Sequence, residues 1–408
     1  MKTYILMGAA GGYISGAPIY HRNKAQYMQQ HGWNVFYISC CGGEIYVHGL
    51  EQFVIGVCSF LCKSAYIFPK TKQEELIDYM IKMFPVLDDE IVIETGTYYT
   101  AYWGELLARR LKAKHIIIYL DEYNEAITHT QSDFFLFKFK RRELACITKN
   151  TMVNIFSEFW NVDLSNAIGL PCYCSNSLED YDNEFTNKIK RSDYNIGYIG
   201  RLEKPVLKEI ICSLRSFVKI IGNKNVSLVC YGGAEKEVVD KIKNMVKEIP
   251  HVSLFISGYI FPIPLKAVKK CDIFFSSAGS SYVSVKAGVP TVRMNVYSNK
   301  PDGFVRYSKT NSLVVSKFGE NIIDYLKKFF IFIDGDKPIV STYSLEKDKE
   351  RMFNAFKQHD EFLNNTVKEK NYYNISSIHL TIKQRFMKML ISCFGMRIFI
   401  ILKFLGIK

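Results

Sequence analysis

No stretch of this chain offers the roughly 20 predominantly apolar residues that a membrane-spanning helix needs. The most apolar segment, 377–408, is broken by Arg397 and Lys403. The opening run around Tyr4–Met7 is too short for the core of a secretory signal and ends in glycines rather than a cleavage-type sequence. It reads as a buried first strand running into a glycine turn. Proline is scarce at 11 in 408 residues, and no self-similar period recurs, so collagen-like, low-complexity and solenoid classes fall away. The 11 cysteines are odd in number and lack zinc-type pairing: Cys40 and Cys41 are adjacent, and Cys172 and Cys174 lie two apart. They read as reduced, mostly buried thiols of a cytosolic protein. Acid is also in deficit, 40 Asp and Glu against 53 Lys and Arg, and the formal charge of +13 favours anionic partners without choosing among them.

Hydrophobic residues at 48% and charged residues at 23% describe a chain able to bury a large core. Its length suggests two to three domains at ~100–200 residues each. Short apolar runs alternate with amphipathic stretches, the pattern of a parallel sheet covered by helices. In the first half the strands are expected at Tyr4–Met7, Asn34–Ser39, Glu90–Glu94 and His115–Leu120, with helices at Ala17–His31 and Tyr99–Leu111. Residues 50–70 fit either a strand or an apolar helix. The polar stretch SNSLEDYDNEFTNKIKRS reads as a linker, after which five further strands alternate with helices: NIGYIG, VSLVCYGG, VSLFISG, DIFFSS and PTVRMN. The expected fold class is therefore α/β, two doubly wound Rossmann-like domains facing across a cleft. The boundaries are 1–175 for the first domain, 176–192 for the linker, 193–340 for the second domain, and 341–408 for a helical tail with a basic amphipathic end.

Loops that follow successive parallel strands gather at one edge of the sheet. In the second half Gly200, Gly232, Gly258 and Gly279 all end strands, so four loops converge there. In NIGYIGRLEKPVLKEI a strand ends at Gly200, Arg201 follows, and Pro205 opens a helix. Backbone amides, Arg201 and either Lys204 or Lys208 at such a helix start suit a diphosphate; a tight turn with solvated cations is the plainer alternative. A second small-residue turn, Ser276-Ser277-Ala278-Gly279-Ser280-Ser281, caps a helix and also permits close approach of an anion.

Taken together, GYIGRL, VSLVCYGG, SGYI, CDIFFSSAGSS, KAGVPTV and the opening GGYISGAPIYHRNKAQYMQQHGWNVFYIS resemble the GT-B glycosyltransferases over residues 4–330. The layout is nearest to the family-four (group 1) enzymes of bacterial surface polysaccharide synthesis. The resemblance implies a hexosyltransferase that needs no cofactor, and no metal is expected because no D-x-D lies in a nucleotide-binding unit. It would move sugar from a nucleotide-diphosphate donor to a saccharide or lipid-linked saccharide. Arg201 with Lys204 or Lys208 would hold the diphosphate. Tyr259 and Ile260 would meet the base through their backbone. Ser277, Gly279 and Ser280 would lie at phosphates or sugar, with Gly200 beside them, and Gly11, Gly12 and Gly16 would face the donor from the other domain.

The departures are specific. FFSSAGSSYVSVKAGVP has no glutamate where family-four enzymes carry two, and no catalytic histidine follows the strand HIIIYL. Asp121 and Glu122 stand there instead, either as a general base for an inverting reaction or as a helix cap and a solvated acid. Glu94 ends another strand toward the same cleft, as an acceptor contact or a strand-end cap. His21 reads as a surface side chain or a ligand contact. Asp180-Tyr181-Asp182 and Asp334-Gly335-Asp336 spell D-x-D outside any nucleotide-binding unit and read as turns.

In the tail, Met387, Ile391, Phe394, Ile398, Leu402 and Leu405 form a helical apolar stripe with Lys383, Arg385, Lys388, Arg397, Lys403 and Lys408 off it. Residues 383–408 are thus expected either to lie on an anionic membrane surface, placing a cytoplasmic enzyme at the inner face of the cell membrane, or to pack back on the first domain. The rival functions are a GT-B-fold nucleotide-sugar epimerase and a non-catalytic basic nucleic-acid-binding protein. No nucleic-acid motif appears, so nucleic acid is not an expected partner.

Overall fold

The computed structural model describes residues 2–121, 127–308, 312–331 and 344–399. The first sheet holds six parallel strands: β1 (Lys2–Gly8), β2 (Trp33–Ser39), β3 (Val54–Val57), β4 (Glu90–Thr95), β5 (Lys114–Tyr119) and β6 (Leu144–Cys146), in the order β3-β2-β1-β4-β5-β6. Tyr4, Ile5, Leu6 and Met7 have no solvent exposure. A strand covered on both faces reads as a continuous apolar run rather than an alternation. The ambiguous 50–70 region resolves as β3 between short 3-10 turns.

Residues 176–192 are an ordered strap. Two residues, β7 (Leu178–Glu179), enter a small ladder, a short helix Glu184–Lys188 follows, and Phe185 and Ile189 are buried in the second core. The second sheet adds β8 (Tyr194–Ile199), β9 (Val226–Tyr231), β10 (Val252–Ile256), β12 (Ile273–Ser277), β13 (Thr291–Met294), β14 (Pro301–Tyr307) and β15 (Leu313–Ser316), while β11 (Ile263–Pro264) pairs β7. Its order is β10-β9-β8-β12-β13-β14-β15, parallel except for the antiparallel β14 and β15, which extend the five strands read from sequence. The helix Pro205–Ile221 starts with proline at its first position, where the missing N–H costs nothing, and buries Val206, Leu207, Ile210, Ile211, Leu214 and Phe217.

The tail belongs to the first sheet. Helix Leu345–Asn364 lays Phe356 and Phe362 on one face beside helix Gly16–Gln30, while Ile375, Ile378, Ile391 and Ile398 cover the other face. Of the two alternatives for the stripe, packing on the first domain describes this part: Ile391 and Ile398 are buried and Met387 is partly buried, because the sheet face under them would otherwise be wet. Phe394 remains exposed, and Leu402 and Leu405 lie outside the described residues. The tail helix also reaches the second half. Lys286 Nζ lies 2.5 Å from Asp348, Tyr173 donates to the same carboxylate, and Arg351 sits over the Tyr282 ring at 5.2 Å. Among the described residues no helix is long and apolar enough to cross a membrane.

Candidate active site

The carboxyl ends of the two sheets face one another across a cleft of about 900 Å³. From the first half come the loop after β1, including Tyr13, Ser15 and Gly16, then Thr97 and Thr100 after β4, and Asp121 after β5. Thr97 and Thr100 form a reciprocal cap on helix Tyr98–Leu111, which sets the loop that presents them. From the second half come Gly200, Arg201 and Lys204, then Gly232 and Gly233, Tyr259 and Ile260, and finally Ser277, Gly279 and Ser280. Most of the residues singled out from sequence therefore share one cavity.

The glycines earn their places by contact. A Cβ on Gly232 would fall 2.0 Å from the Gly200 carbonyl oxygen, and one on Gly233 would meet the Tyr259 ring at 2.8 Å. Any larger residue would push the converging loops apart. Gly11 and Gly12 serve a different purpose from the one expected. The Gly12 N–H donates to the Glu44 carbonyl at 2.9 Å, and a Cβ on Gly11 would stand 2.7 Å from the Gly43 carbonyl. They lock one loop onto another, away from the cleft lining. Gly258 is likewise off the lining, and of the two lysines Lys204 lines the cleft while Lys208 does not. Ala278 turns through φ 48°, in the left-handed region that disfavours any Cβ.

Arg201 and Lys204 put positive charge at the head of the 17-residue helix Pro205–Ile221, where the first N–H groups have no intrahelical partner. Arg201 is half exposed and 3.3 Å from Glu203. Opposite stands Asp121, the one carboxylate among the described residues lining the cleft. It is open to the cleft, yet the surrounding walls strip enough water to lift its pKa from 3.8 to about 6. Glu122 lies outside the described residues.

Burial removes one alternative for each of two residues. Glu94 is 1% exposed and points beneath the cleft, where Tyr4 and Tyr20 both donate to its carboxylate. His21 is not on the surface; it is 1% exposed, bonded to Tyr37 at 3.0 Å, and burial drives its pKa down to about 3, so it forms a neutral part of the cleft floor. Asp182 and Asp180 hold Lys266 on an exposed turn, whereas Asp334 and Asp336 lie outside the described residues. No group of three or more His, Cys, Asp or Glu among the described residues is arranged to hold a metal ion.

Sequence reading missed Asn176. Its amide nitrogen donates to the Ile260 carbonyl at 3.4 Å, while its side-chain oxygen is buried at the cleft with no partner among the described residues. It also missed Tyr46, whose ring packs on Tyr259 at 4.7 Å between centroids, joining the two halves at one end of the cleft. A buried contact of Ile19 and Val47 with Phe261 continues that junction.

No protein-family model matches the chain, and no curated protein matches it. Solved structures do. A glycosyltransferase from Rickettsia africae ESF-5 superposes with a TM-score of 0.58 at 13% identity, over 90% of this chain and 100% of that one. HepE from Anabaena in complex with UDP and glucose gives 0.49 at 13% identity, over 72% and 80%. S. aureus MnaA with UDP gives 0.48 at 13% identity, over 90% and 99%. Two doubly wound sheets, facing carboxyl edges and a shared cleft, together with the first of these likenesses, give this chain the GT-B glycosyltransferase fold.

Proposed function

We propose that this protein transfers a hexosyl group from a nucleotide-diphosphate sugar to a saccharide or lipid-linked saccharide. The bacterial surface polysaccharide setting comes from the sequence resemblance. The observation that carries the reading is the division of charge across the cleft: Arg201 and Lys204 at a helix start on one wall and, among the described residues, a single carboxylate, Asp121, on the other. The cations and helix amides stabilise the diphosphate as it leaves, the kind of electrostatic help that supplies most of the rate in such sites. Asp121 takes the proton from the acceptor hydroxyl, and a pKa near 6 leaves it ionised yet basic at neutral pH. Base catalysis from the far wall fits inversion at the sugar carbon, and charge neutralisation by Arg201 and Lys204 requires no metal. The fold also suits epimerases, but Asp121 placed opposite the cations serves an acceptor better than a reaction needing none.

The test is a pair of variants. Asp121→Asn lowers kcat by about 10²–10⁴-fold and leaves donor affinity unchanged, because only the proton transfer is lost. Arg201→Ala weakens donor binding by about 1.5–3 kcal/mol. Wild-type turnover rises with pH through a midpoint near 6 and stays insensitive to EDTA. Equal, small effects of both variants would remove the assignment, and a new sugar isomer formed from donor alone would establish the epimerase.

A lipid-linked acceptor places the enzyme at the inner face of the membrane. Helix Ile382–Phe394 turns a second apolar row outward, Ile382, Phe386 and Met389, with Lys383 and Arg385 beside it, which supports contact with an anionic surface. Phe386→Ser should release the protein from anionic but not neutral liposomes; undiminished sedimentation with the vesicles would end this part of the reading.

A further inference from the structure

Four of the eleven thiols are buried, so the expectation of mostly buried cysteines is corrected, and three of the others meet at the rim of the cleft. Cys40 and Cys41 follow β2, and Cys62 ends the short turn after the neighbouring β3. The Cys62 thiol donates to the Cys40 carbonyl at 3.2 Å, and the Cys41 thiol donates to the Gly11 carbonyl at 3.2 Å. Cys40 thus meets Cys62 through its own carbonyl and is joined to Cys41 along the chain. Cys40 and Cys62 line the cleft, and Cys62 is exposed, so a small solute reaches it.

From this cluster we infer that Cys40 and Cys62 form a redox-active dithiol that a hydroperoxide converts to a disulfide. The Cys62 thiolate attacks the terminal peroxide oxygen, the O–O bond breaks, and the departing alkoxide takes a proton to leave as an alcohol, with Cys62 as sulfenic acid. Cys40 then gives up its proton and its sulfur attacks the Cys62 sulfur; hydroxide leaves and joins the proton as water. Two thiols are oxidised and one hydroperoxide is reduced. The cluster favours this division of roles: the neighbouring thiols hold Cys40 well above its ordinary value, so it keeps its proton, while the nearby Cys40 thiol brings Cys62 down to about 7 and Cys41 to about 6. Cys41 lies next to Cys40 in sequence, and a bond between adjacent residues distorts the peptide joining them, so Cys62 is the better partner.

The experiment treats the full chain with hydrogen peroxide, blocks remaining thiols with iodoacetamide, and digests at glutamate. Cleavage at Glu44 and Glu51 separates Cys40 from Cys62, so their bond appears as one crosslinked pair. The expected result is a Cys40–Cys62 crosslink, reversed by dithiothreitol and absent from Cys62→Ser, an exposed site whose change leaves the core intact. In Cys40→Ser a dimedone adduct accumulates on Cys62. Before oxidation, Cys62 alkylates at neutral pH roughly tenfold faster than the exposed Cys212 and Cys393. Absence of the crosslink, a bond confined to Cys40 and Cys41, or faster oxidation of Cys212 or Cys393 would each overturn the proposal.

Discussion

The two halves of the molecule wind their sheets alike, yet they bury different chemistry. Between Tyr194 and Ile331 the described buried polar residues are Asn195, six serines and Thr291. The first half and its tail bury Glu94, Glu105, Lys24, Lys138, Glu143, Asp348 and the histidines His21, His115 and His359. These charges are organised. Lys138 Nζ lies 2.6 Å from Glu105 and 3.0 Å from Glu143, His115 bonds Glu105 at 2.7 Å, and the Tyr373 N–H donates to Glu105 at 2.7 Å. Burial pushes the Glu105 carboxyl up, but Lys138 and His115 outweigh it and hold it at about 2. On the opposite face Lys24 is enclosed by the rings of Tyr4, Tyr27 and Phe356. A half that folds around itself needs no buried charge. A half finished by a distant segment uses buried polar partners to specify where that segment docks.

The largest expected effect attacks the charged interior directly. Lys138→Met leaves Glu105 buried without its cation and Glu143 with Arg141 alone, and costs about 3–5 kcal/mol in urea unfolding. Its counterpart in the second half, Ser227→Ala, removes a 2.6 Å bond to Ser192 and costs only about 1 kcal/mol. Similar losses in both would erase the contrast.

Acid provides the intermediate test. Burial holds His21 near 3, His115 near 4 and His359 well below its ordinary value, so in the folded state all three stay neutral where the unfolded chain binds protons. Stability therefore falls as pH drops below about 6.5 and continues to fall toward 4. All three tryptophans, Trp33, Trp103 and Trp160, lie in the first half, so their emission follows that half alone. It should change at higher pH than the part of the circular dichroism owed to the second half; coincident transitions would show one cooperative unit.

The smallest effect belongs to the second half's cleft. Ala278→Gly relieves a left-handed alanine worth about 1–2 kcal/mol and gives back about 0.5–1 in chain entropy. The net stabilisation is under about 1 kcal/mol by thermal unfolding. A clear destabilisation would mean the Ala278 methyl packs rather than strains.

Much of the cleft was legible because its signals are local. GYIGR and SSAGS announce strand ends by a buried run meeting small residues, and Pro205 marks a helix start. What failed was non-local. Glu94 ends a strand just as Arg201 follows one, but which way it points depends on Tyr20 and on the helix carrying His359. The tail's periodicity exposes two apolar rows, Met387 with Ile391 and Phe386 with Met389, without naming the one that the sheet covers. Three-residue β6 has too little pattern to be seen, and the meeting of Cys62 with Cys40 depends on β3 lying beside β2.

The return of the tail has a consequence for the order of assembly on the ribosome. Lys114 waits for Thr366 and Val367, Glu105 for Tyr373, and Tyr20 for His359, all made after the whole second sheet has emerged. Domains made first generally fold first. Here the half made first is completed last, after the second half has closed its own core, and until then its charged groups remain available to whatever meets the nascent chain.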